Sequence, residues 1–130
     1  MSNSVLIFNK INKFDKKIEV SSDKSISIRC VLMASQAIGC SKIYNLLESE
    51  DVISAINAIK TLGIKVEKKK DYFKIFGKGL NNFSTKNNNI IKANNSGTLS
   101  RLILGMLVRF ENNIIVTGDQ SLRKRDFQRV

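Results

Sequence analysis

The stretch that decides the fold is polar and lies between two apolar segments: Ser21-Ser22-Asp23-Lys24-Ser25-Ile26-Ser27-Ile28-Arg29. A short apolar run, residues 18–20, precedes it, and residues 30–38 follow with apolar side chains at helical spacing. This order predicts a strand, a polar loop and a helix whose first turns carry a lysine, two serines and an arginine. Because a helix N-terminus has unpaired backbone N–H groups and partial positive charge, it suits an anionic ligand.

Two interpretations of this stretch stay open from its residues alone. In the first, Lys24 and Arg29 add full charges and the serine hydroxyls add hydrogen bonds, so that the loop binds a phosphate or a carboxylate. In the second, Ser22 or Asp23 only caps the helix and the two cations are solvated. The stretch by itself does not choose between them.

Length and composition indicate one globular domain: the chain has 130 residues, of which 42% are hydrophobic. Its apolar runs are shorter than a membrane span, and its start lacks a secretory signal pattern, so we expect a cytoplasmic protein without a membrane partner. Cys30 and Cys40 lack metal-ligand spacing and the chain has no histidine. We therefore expect no metal site, no cofactor and no Cys–His catalytic pair.

The net charge of +11 favours a nucleic-acid partner, but its distribution along the sequence argues against one. Much of the basic charge falls in residues 65–74 and 123–125, with few aromatic residues between the cations to stack on bases. A small basic nucleic-acid-binding module is kept as an alternative, and we regard nucleic acid as the less favoured partner.

The remaining pattern alternates short apolar runs with helical ones. Helices are predicted from the polar loop to a stop at Gly39, from an N-cap at Ser49 to a stop at Gly63, and over residues 99–110. Strands are predicted at residues 5–8, 18–20, 43–46, 64–67, 72–76, 90–93 and 114–116, the fourth and fifth forming a hairpin. Residues 118–121 are predicted to be a loop.

The predicted order, β-α-β-α-β-β followed by β-α-β, indicates an internal repeat. Aligning residues 90–115 with residues 18–43 places similar residues at equivalent positions. The pairs are Ile18 and Ile90, Ser25 and Gly97, Arg29 and Arg101, Leu32 and Leu104, and Ile43 and Ile115. We expect an α/β (α+β) fold with one full β-α-β-α-β-β repeat and part of a second.

Two further motifs follow the opening stretch, and two connecting blocks, residues 45–52 and 58–63, lie between the first and the second. The motifs are Asn95-Ser96-Gly97-Thr98-Leu99-Ser100-Arg101 and Gly118-Asp119-Gln120-Ser121-Leu122-Arg123-Lys124-Arg125. In this order and with these gaps, the five segments closely resemble the N-terminal part of the 5-enolpyruvylshikimate-3-phosphate (EPSP) synthases, also called 3-phosphoshikimate 1-carboxyvinyltransferases. The resemblance covers the chain from Ile18 onward.

The resemblance implies transfer of the enolpyruvyl group of phosphoenolpyruvate to the 5-hydroxyl of shikimate 3-phosphate, with release of phosphate. This step of the shikimate pathway leads to chorismate and the aromatic amino acids. In the family two lobes of repeated β-α-β-α-β-β units close over the substrates. Residues 1–20 are then expected to belong to the far lobe, and residues 21–130 to an incomplete N-terminal lobe. Since the family's acid/base carboxylates lie beyond Val130, the 130-residue chain is expected to need the rest of the synthase for turnover.

The family's binding residues map onto seven positions of this chain. By that match Lys24 is catalytic and touches both substrates, and Ser25 and Arg29 hold shikimate 3-phosphate. The phosphoenolpyruvate residues are Lys24, Asn95, Gly97, Thr98 and Arg125. Physical chemistry supports these roles, because Gly97 lets backbone approach an anion and Arg125 can grip two oxygens at once. Three other residues, Ser27, Ser96 and Arg101, are expected to cap or support, and the two cysteines to lie in the core.

Four departures from the family pattern stand out: Ser21-Ser22 before the lysine, Ile28, Asn94 and Asp126, where family members commonly have Pro-Gly, His or Asn, Gly, and Pro. The sister enzyme that transfers enolpyruvyl to UDP-N-acetylglucosamine is the second alternative. That family favours asparagine where this chain has Ser25, and it carries a loop cysteine that has no counterpart near Arg125.

Overall fold

A computed structural model of the chain describes residues 6, 8, 13, 15, 18–80, 82–85 and 89–128. The helices and strands in these residues are α1 Lys24–Gln36, β1 Ile38–Tyr44, α2 Glu50–Thr61, β2 Lys65–Lys68, β3 Tyr72–Lys78, β4 Ile90–Lys92, α3 Gly97–Leu107, β5 Ile115–Thr117 and α4 Gln120–Arg123. This mixture of helices and strands agrees with the predicted fold class, whereas the number of repeats stays a prediction. None of the described helices has the length and apolar character that crossing a membrane requires.

The strands form two small sheets. The first has the order β1-β3-β2 with antiparallel neighbours, and β2 and β3 form the predicted hairpin, in which Val66 lies opposite Ile75. The second sheet pairs β4 with β5 in parallel, with Ile91 opposite Val116. A parallel pair needs a crossover connection, and α3 is the helix in that crossover.

The core lies where α1 and α2 pack together against the first sheet and α3 packs against both helices. Its largest fully buried side chains come from every layer: Ile28 and Val31 of α1, Val52 and Ile59 of α2, Ile75 of β3, Ile91 of β4, and Leu99 and Ile103 of α3. Burial of this apolar surface contributes the dominant favourable term of folding. Because α1, α2 and α3 share one core, their N-terminal ends are held in fixed relation to one another.

The boundary between α1 and β1 differs from the prediction. The helix was expected to end at Gly39 and a strand to occupy residues 43–46, but α1 ends at Gln36 and β1 begins at Ile38. The reason is tertiary: a Cβ at Gly77 would lie 2.2 Å from the Ala37 carbonyl oxygen and 2.3 Å from that of Ala34. Gly77 in β3 thus admits the end of α1 against the sheet, and the chain pairs with β3 at once.

The predicted strand at residues 18–20 is wrong for this structure. Ile18 and Val20 are exposed and belong to no strand. The repeat alignment places these residues at the position of β4, but β1 pairs with β3 rather than with them, so they lack a neighbour to complete a ladder. The strand predicted at 5–8 falls outside the described residues apart from Leu6 and Phe8, both exposed.

The region after β5 contains a short helix, α4, which begins within the predicted loop at 118–121. Asp119 lies at the N-cap of α4, and its carboxylate accepts a hydrogen bond of 2.7 Å from the Leu122 N–H. The expected loop at 118–121 therefore ends at Asp119. Leu122 is buried in the core, which anchors the segment that carries Arg125.

Candidate anion-binding site

The site is built around the start of α3, where β4 turns sharply into the helix. Asn94 has a positive φ of 50°, a conformation that asparagine tolerates better than most residues. Its amide donates a 2.8 Å hydrogen bond to the Ser54 hydroxyl of α2. Ser96 then caps α3, since its hydroxyl accepts from the Leu99 N–H at 3.3 Å. These contacts anchor the turn that leads into Gly97, the first residue of the helix.

Two arginines approach this helix end because residue 97 has no side chain. A Cβ built on Gly97 would lie 2.8 Å from Nη1 of Arg125 and 3.3 Å from Nη1 of Arg101. The Arg125 guanidinium also donates to the Asn95 side-chain oxygen, and the Asp119 N–H donates to the Asn94 carbonyl at 2.9 Å. These two hydrogen bonds join the motif at residues 118–125 to the motif at residues 95–101. Arg125 thereby lies over the positive N-terminal end of α3.

Lys24 closes the pocket from the side of α1. Its ammonium lies 2.8 Å from the Asp51 carboxylate in the first turn of α2, and its side chain remains 50% exposed. The pocket between these elements has a volume of about 420 Å³. Its walls are formed by Lys24, Glu50, Asp51, Asn95, Gly97, Thr98, Arg101 and Arg125. Three cations thus face two carboxylates around a helix N-terminus, an arrangement that favours an anion.

The structure brings together five of the seven residues mapped from the family, namely Lys24, Asn95, Gly97, Thr98 and Arg125. Ser25 and Arg29 are not part of this wall. The Arg29 guanidinium donates instead to the Ser25 carbonyl, 3.1 Å away on the same helix. Their assignment to shikimate 3-phosphate stays a prediction.

Arg101 lines the pocket although the sequence analysis gave it only a supporting role. Its Nη2 donates to the Asp126 carbonyl at 3.1 Å, and its guanidinium lies 5.5 Å from the centre of the Phe127 ring. Its Nε is buried without a hydrogen-bond partner among the described residues. The repeat alignment could have indicated this position, because it pairs Arg101 with Arg29, a residue proposed to bind substrate.

Two acidic residues of the pocket were also missed. Glu50 and Asp51 lie in the first turn of α2, where negative charge is favourable, and the sequence pattern did not place them at a binding site. Their block, residues 45–52, was nevertheless one of the segments that carried the family resemblance. Ser49, the predicted N-cap of α2, occupies that position without a side-chain capping bond.

The capping expectations are largely confirmed around α1. Asp23 is its N-cap and accepts from the Ile26 N–H at 2.7 Å, while the buried Ser27 hydroxyl accepts from the Leu47 N–H at 3.1 Å. Capping by Asp23 is compatible with the position of Lys24 at the pocket wall directly after the cap, and binding of a ligand by Lys24 stays a prediction. The expectation of core cysteines is wrong, because Cys40 is exposed and Cys30 only half-buried.

Three departures from the family pattern have structural accounts. Ile28 is fully buried in the core, and Asn94 adopts the positive φ that the turn requires. The Asp126 carboxylate accepts from the Gln128 N–H at 2.8 Å rather than pairing with Arg125. Within the part of the chain that the structure describes, no cluster of three or more acidic, cysteine or histidine residues is placed to hold a metal.

Comparisons with known proteins identify the family of this chain. The model of the EPSP synthase (3-phosphoshikimate 1-carboxyvinyltransferase) family matches residues 8–130. The chain belongs to the EPSP synthase family. A 3-phosphoshikimate 1-carboxyvinyltransferase of Alkaliphilus metalliredigens is 41% identical over 126 residues, which cover 97% of this chain and 29% of that relative. A protein of the same name from Caldicellulosiruptor saccharolyticus is 42% identical over 118 residues, which cover 91% of this chain and 27% of that relative.

A solved structure of EPSP synthase from Acinetobacter baumannii superposes with a TM-score of 0.78 at 32% identity. The superposition covers 88% of this chain and 26% of that structure. This chain thus spans less than a third of the length of these EPSP synthases.

Proposed function

We propose that this chain supplies the phosphoenolpyruvate-binding part of an EPSP synthase active site. The complete reaction transfers the enolpyruvyl group to the 5-hydroxyl of shikimate 3-phosphate and releases phosphate, in the cytoplasm. The observation that carries the proposal is the convergence of Lys24, Arg101 and Arg125 on the N-terminus of α3 in one pocket of about 420 Å³. Family membership narrows the anion to the substrates named for this family.

Phosphoenolpyruvate carries a phosphate and a carboxylate, so it requires more than one cationic contact. Arg125 presents a planar guanidinium that can bind two oxygens of one anionic group. Backbone N–H groups at Gly97 and Thr98 add the donors of the helix start. Arg101, held by the Asp126 carbonyl, supplies the further positive charge. In this arrangement the two guanidinium groups and the helix end address the two anionic groups of one ligand.

Lys24 is proposed to lie between the two substrates. A lysine ammonium has three N–H donors, of which one is directed to Asp51 in this structure. The other two remain for substrate oxygens, and the ion pair restrains the long side chain at the pocket wall. A fixed cation between two anions holds them side by side and stabilises charge as the enolpyruvyl group is transferred.

Shikimate 3-phosphate is proposed to contact Ser25 and Arg29 on the neighbouring surface of α1. Residues 1–20 are proposed to belong to the far lobe of the synthase and residues 21–130 to the near one. The carboxylates at the pocket are Glu50 and Asp51, and Asp51 is engaged by Lys24. We therefore assign the general acid/base chemistry to a part of the synthase outside this chain, so that the 130 residues bind substrate without turnover.

The test is isothermal titration calorimetry of the chain with phosphoenolpyruvate, shikimate 3-phosphate and UDP-N-acetylglucosamine. We expect binding of the first two, and a roughly tenfold or greater loss of phosphoenolpyruvate affinity in Lys24→Gln, because a hydrogen bond to a charged group contributes about 1.5–3 kcal/mol. Lys60→Gln removes the same charge from an exposed position of α2 and should change nothing. Binding of the UDP-sugar in place of shikimate 3-phosphate would favour the sister enzyme, and equal losses in both variants would contradict the proposed pocket.

A further inference from the structure

The first sheet has a solvent-facing side that the proposed reaction does not use. Phe73 and Ile75 of β3 are buried against the helices, and successive side chains of a strand point to opposite sides. The alternate positions therefore form the other side, which we call the outer sheet face. Its members are Ile38, Cys40, Lys42 and Tyr44 of β1, Lys65 and Glu67 of β2, and Tyr72, Lys74, Phe76 and Lys78 of β3.

Positive charge on the outer sheet face is far from balanced. Glu67 is its one carboxylate, and it lies 2.7 Å from the Lys65 ammonium and 3.2 Å from that of Lys69. Hydrogen bonds from Lys65 and then Lys69 lower the pKa of Glu67, so its negative charge is present at neutral pH and is already engaged. Neither Lys42 nor Lys74 forms a salt bridge among the described residues, and β1 and β3 place them directly opposite each other. Like charges in such a pair destabilise a sheet. Glu67 lies opposite Lys74 on the β2 side, so an opposite charge accounts for Lys74 in part, whereas Lys42 has no such neighbour in the sheet.

Two tyrosines lie beside this lysine pair. Tyr44 and Tyr72 are cross-strand neighbours, with ring centres 5.2 Å apart and ring planes inclined by 43°. Because the rings are tilted rather than stacked face to face, they do not cover one another, and Tyr44 is 61% exposed. The Lys42 ammonium lies 5.7 Å from the centre of the Tyr72 ring. Tyr72 is half-buried. An exposed Tyr44 ring next to lysines without salt bridges matches what single-stranded nucleic acid requires, namely a stacking surface for a base and cations for phosphates.

We propose that the outer sheet face binds single-stranded nucleic acid, with one base stacked on the exposed Tyr44, the next against the half-buried Tyr72, and phosphates contacting Lys42 and Lys74. Lys78 is not included because its ammonium donates to the Ser84 hydroxyl at 3.2 Å. Lysines alone would attract any polyanion, including an anionic membrane or a duplex. The exposed Tyr44 ring favours a single strand, because the bases of a duplex are stacked on one another and cannot reach it. The linear sequence conceals this face, since the residues become neighbours only when β1 pairs with β3.

Fluorescence anisotropy with the full 130-residue chain tests the proposal. The probes are fluorescein-labelled oligo(U) and oligo(dT) of about 12 nucleotides, within the usual range of site sizes. We expect the affinity to fall with salt, and Tyr44→Ala and Tyr72→Ala each to weaken binding by roughly tenfold. Tyr44→Phe should retain binding because it keeps the ring. Tighter binding of oligo(U) would assign the face to RNA, and equal or tighter binding of oligo(dT) would assign it to single strands in general.

The charge contribution has a matched control. The double variant Lys42→Gln/Lys74→Gln should reduce the slope of log affinity against log salt by about 0.7 for each phosphate that is no longer neutralised. The double variant Lys60→Gln/Lys92→Gln removes the same charge from exposed positions of α2 and β4 and should leave the slope unchanged. Four results would overturn the proposal: no binding, equal losses of affinity in both double variants, tighter binding of a duplex, or tyrosine variants that bind as the parent does. Thermal melts of all variants establish that each is folded.

Discussion

The N-termini of α1 and α3 are built from similar residues but present different surfaces. Each helix follows a polar cap, Asp23 or Ser96, and each carries an arginine in its second turn. At α1 the arginine, Arg29, turns back onto the Ser25 carbonyl of its own helix. At α3 the position that aligns with Ser25 is Gly97, and its missing side chain admits two guanidinium groups. At α3 the segment that carries Arg125 reaches the capped helix start, so that three cations line the pocket there. No corresponding arginine approaches the start of α1 among the described residues.

The two helices also differ at the aligned positions Ile28 and Ser100. Ile28 of α1 is fully buried in the core, whereas the position that aligns with it in α3 is Ser100, whose hydroxyl donates to the Gly97 carbonyl at 3.1 Å. Both helix starts are anchored by apolar packing, since Leu99 of α3 is also fully buried. At the aligned position itself, α1 contributes a core side chain, whereas α3 contributes a hydrogen bond to the Gly97 carbonyl.

The largest effect should come from the buried anchor. Ile28→Ala removes a fully buried side chain, so the free energy of unfolding should fall by about 2–5 kcal/mol. Ser100→Ala removes one hydrogen bond and should cost about 1 kcal/mol. Denaturant titrations followed by circular dichroism measure both, and equal losses of stability would show that the two aligned positions contribute alike.

The next largest effect should be a difference in phosphoenolpyruvate affinity between variants of Arg125 and Arg29. Arg125→Gln removes the charge that lies over Gly97, so phosphoenolpyruvate affinity should fall roughly ten- to hundredfold, as expected for hydrogen bonds to a charged group. Arg29→Gln should leave that affinity almost unchanged because its guanidinium is directed away from the pocket wall. Calorimetric titration of both variants gives the answer, and a larger loss for Arg29→Gln would reverse the assignment of the two helix starts.

The glycine itself provides a smaller and more specific test. A methyl group in Gly97→Ala would lie 2.8 Å from Arg125 Nη1 and displace the guanidinium, costing about tenfold in phosphoenolpyruvate affinity, the equivalent of one hydrogen bond. Ser25→Ala at the aligned position of α1 should not alter it. The melting temperature of Gly97→Ala should not fall, because alanine is favoured over glycine in a helix. A parallel loss of stability and affinity would indicate a general disturbance instead.

The smallest effect is expected for the carboxylate beside Lys24. Asp51→Asn keeps a hydrogen-bond acceptor for the lysine but removes a negative charge from the wall of the pocket. Phosphoenolpyruvate affinity should rise a few-fold, while the free energy of unfolding should drop by less than about 1 kcal/mol, since the ion pair is partly exposed. Calorimetry at two salt concentrations checks the electrostatic origin, which requires the gain to shrink at high salt. A loss of affinity would mean that the charge of Asp51 is needed to position Lys24.

Local signals in the sequence were sufficient for the hairpin of β2 and β3 and for a cap at Ser22 or Asp23, of which Asp23 is the one observed. They also predicted a helix at residues 99–110, but α3 begins two residues earlier, at Gly97, and ends at Leu107. The five residues that meet in one pocket came from the resemblance to the family, which short motifs carry. The early start of β1 was not predictable, since it depends on Gly77 meeting the end of α1 from a distant strand. Arg101 and Asp51 were missed as pocket residues for the same reason: helix packing, rather than local pattern, decides which of their neighbours they face.

The measurement that tests the account most directly is a two-dimensional ¹⁵N–¹H NMR titration of the chain with phosphoenolpyruvate. The account predicts the largest shifts at the backbone amides of Gly97 and Thr98 and at the Arg125 side chain, and much smaller ones at Ser25 to Ser27. Largest shifts at the start of α1, or shifts spread evenly over the basic surface, would contradict the claim that α3 carries the anion site.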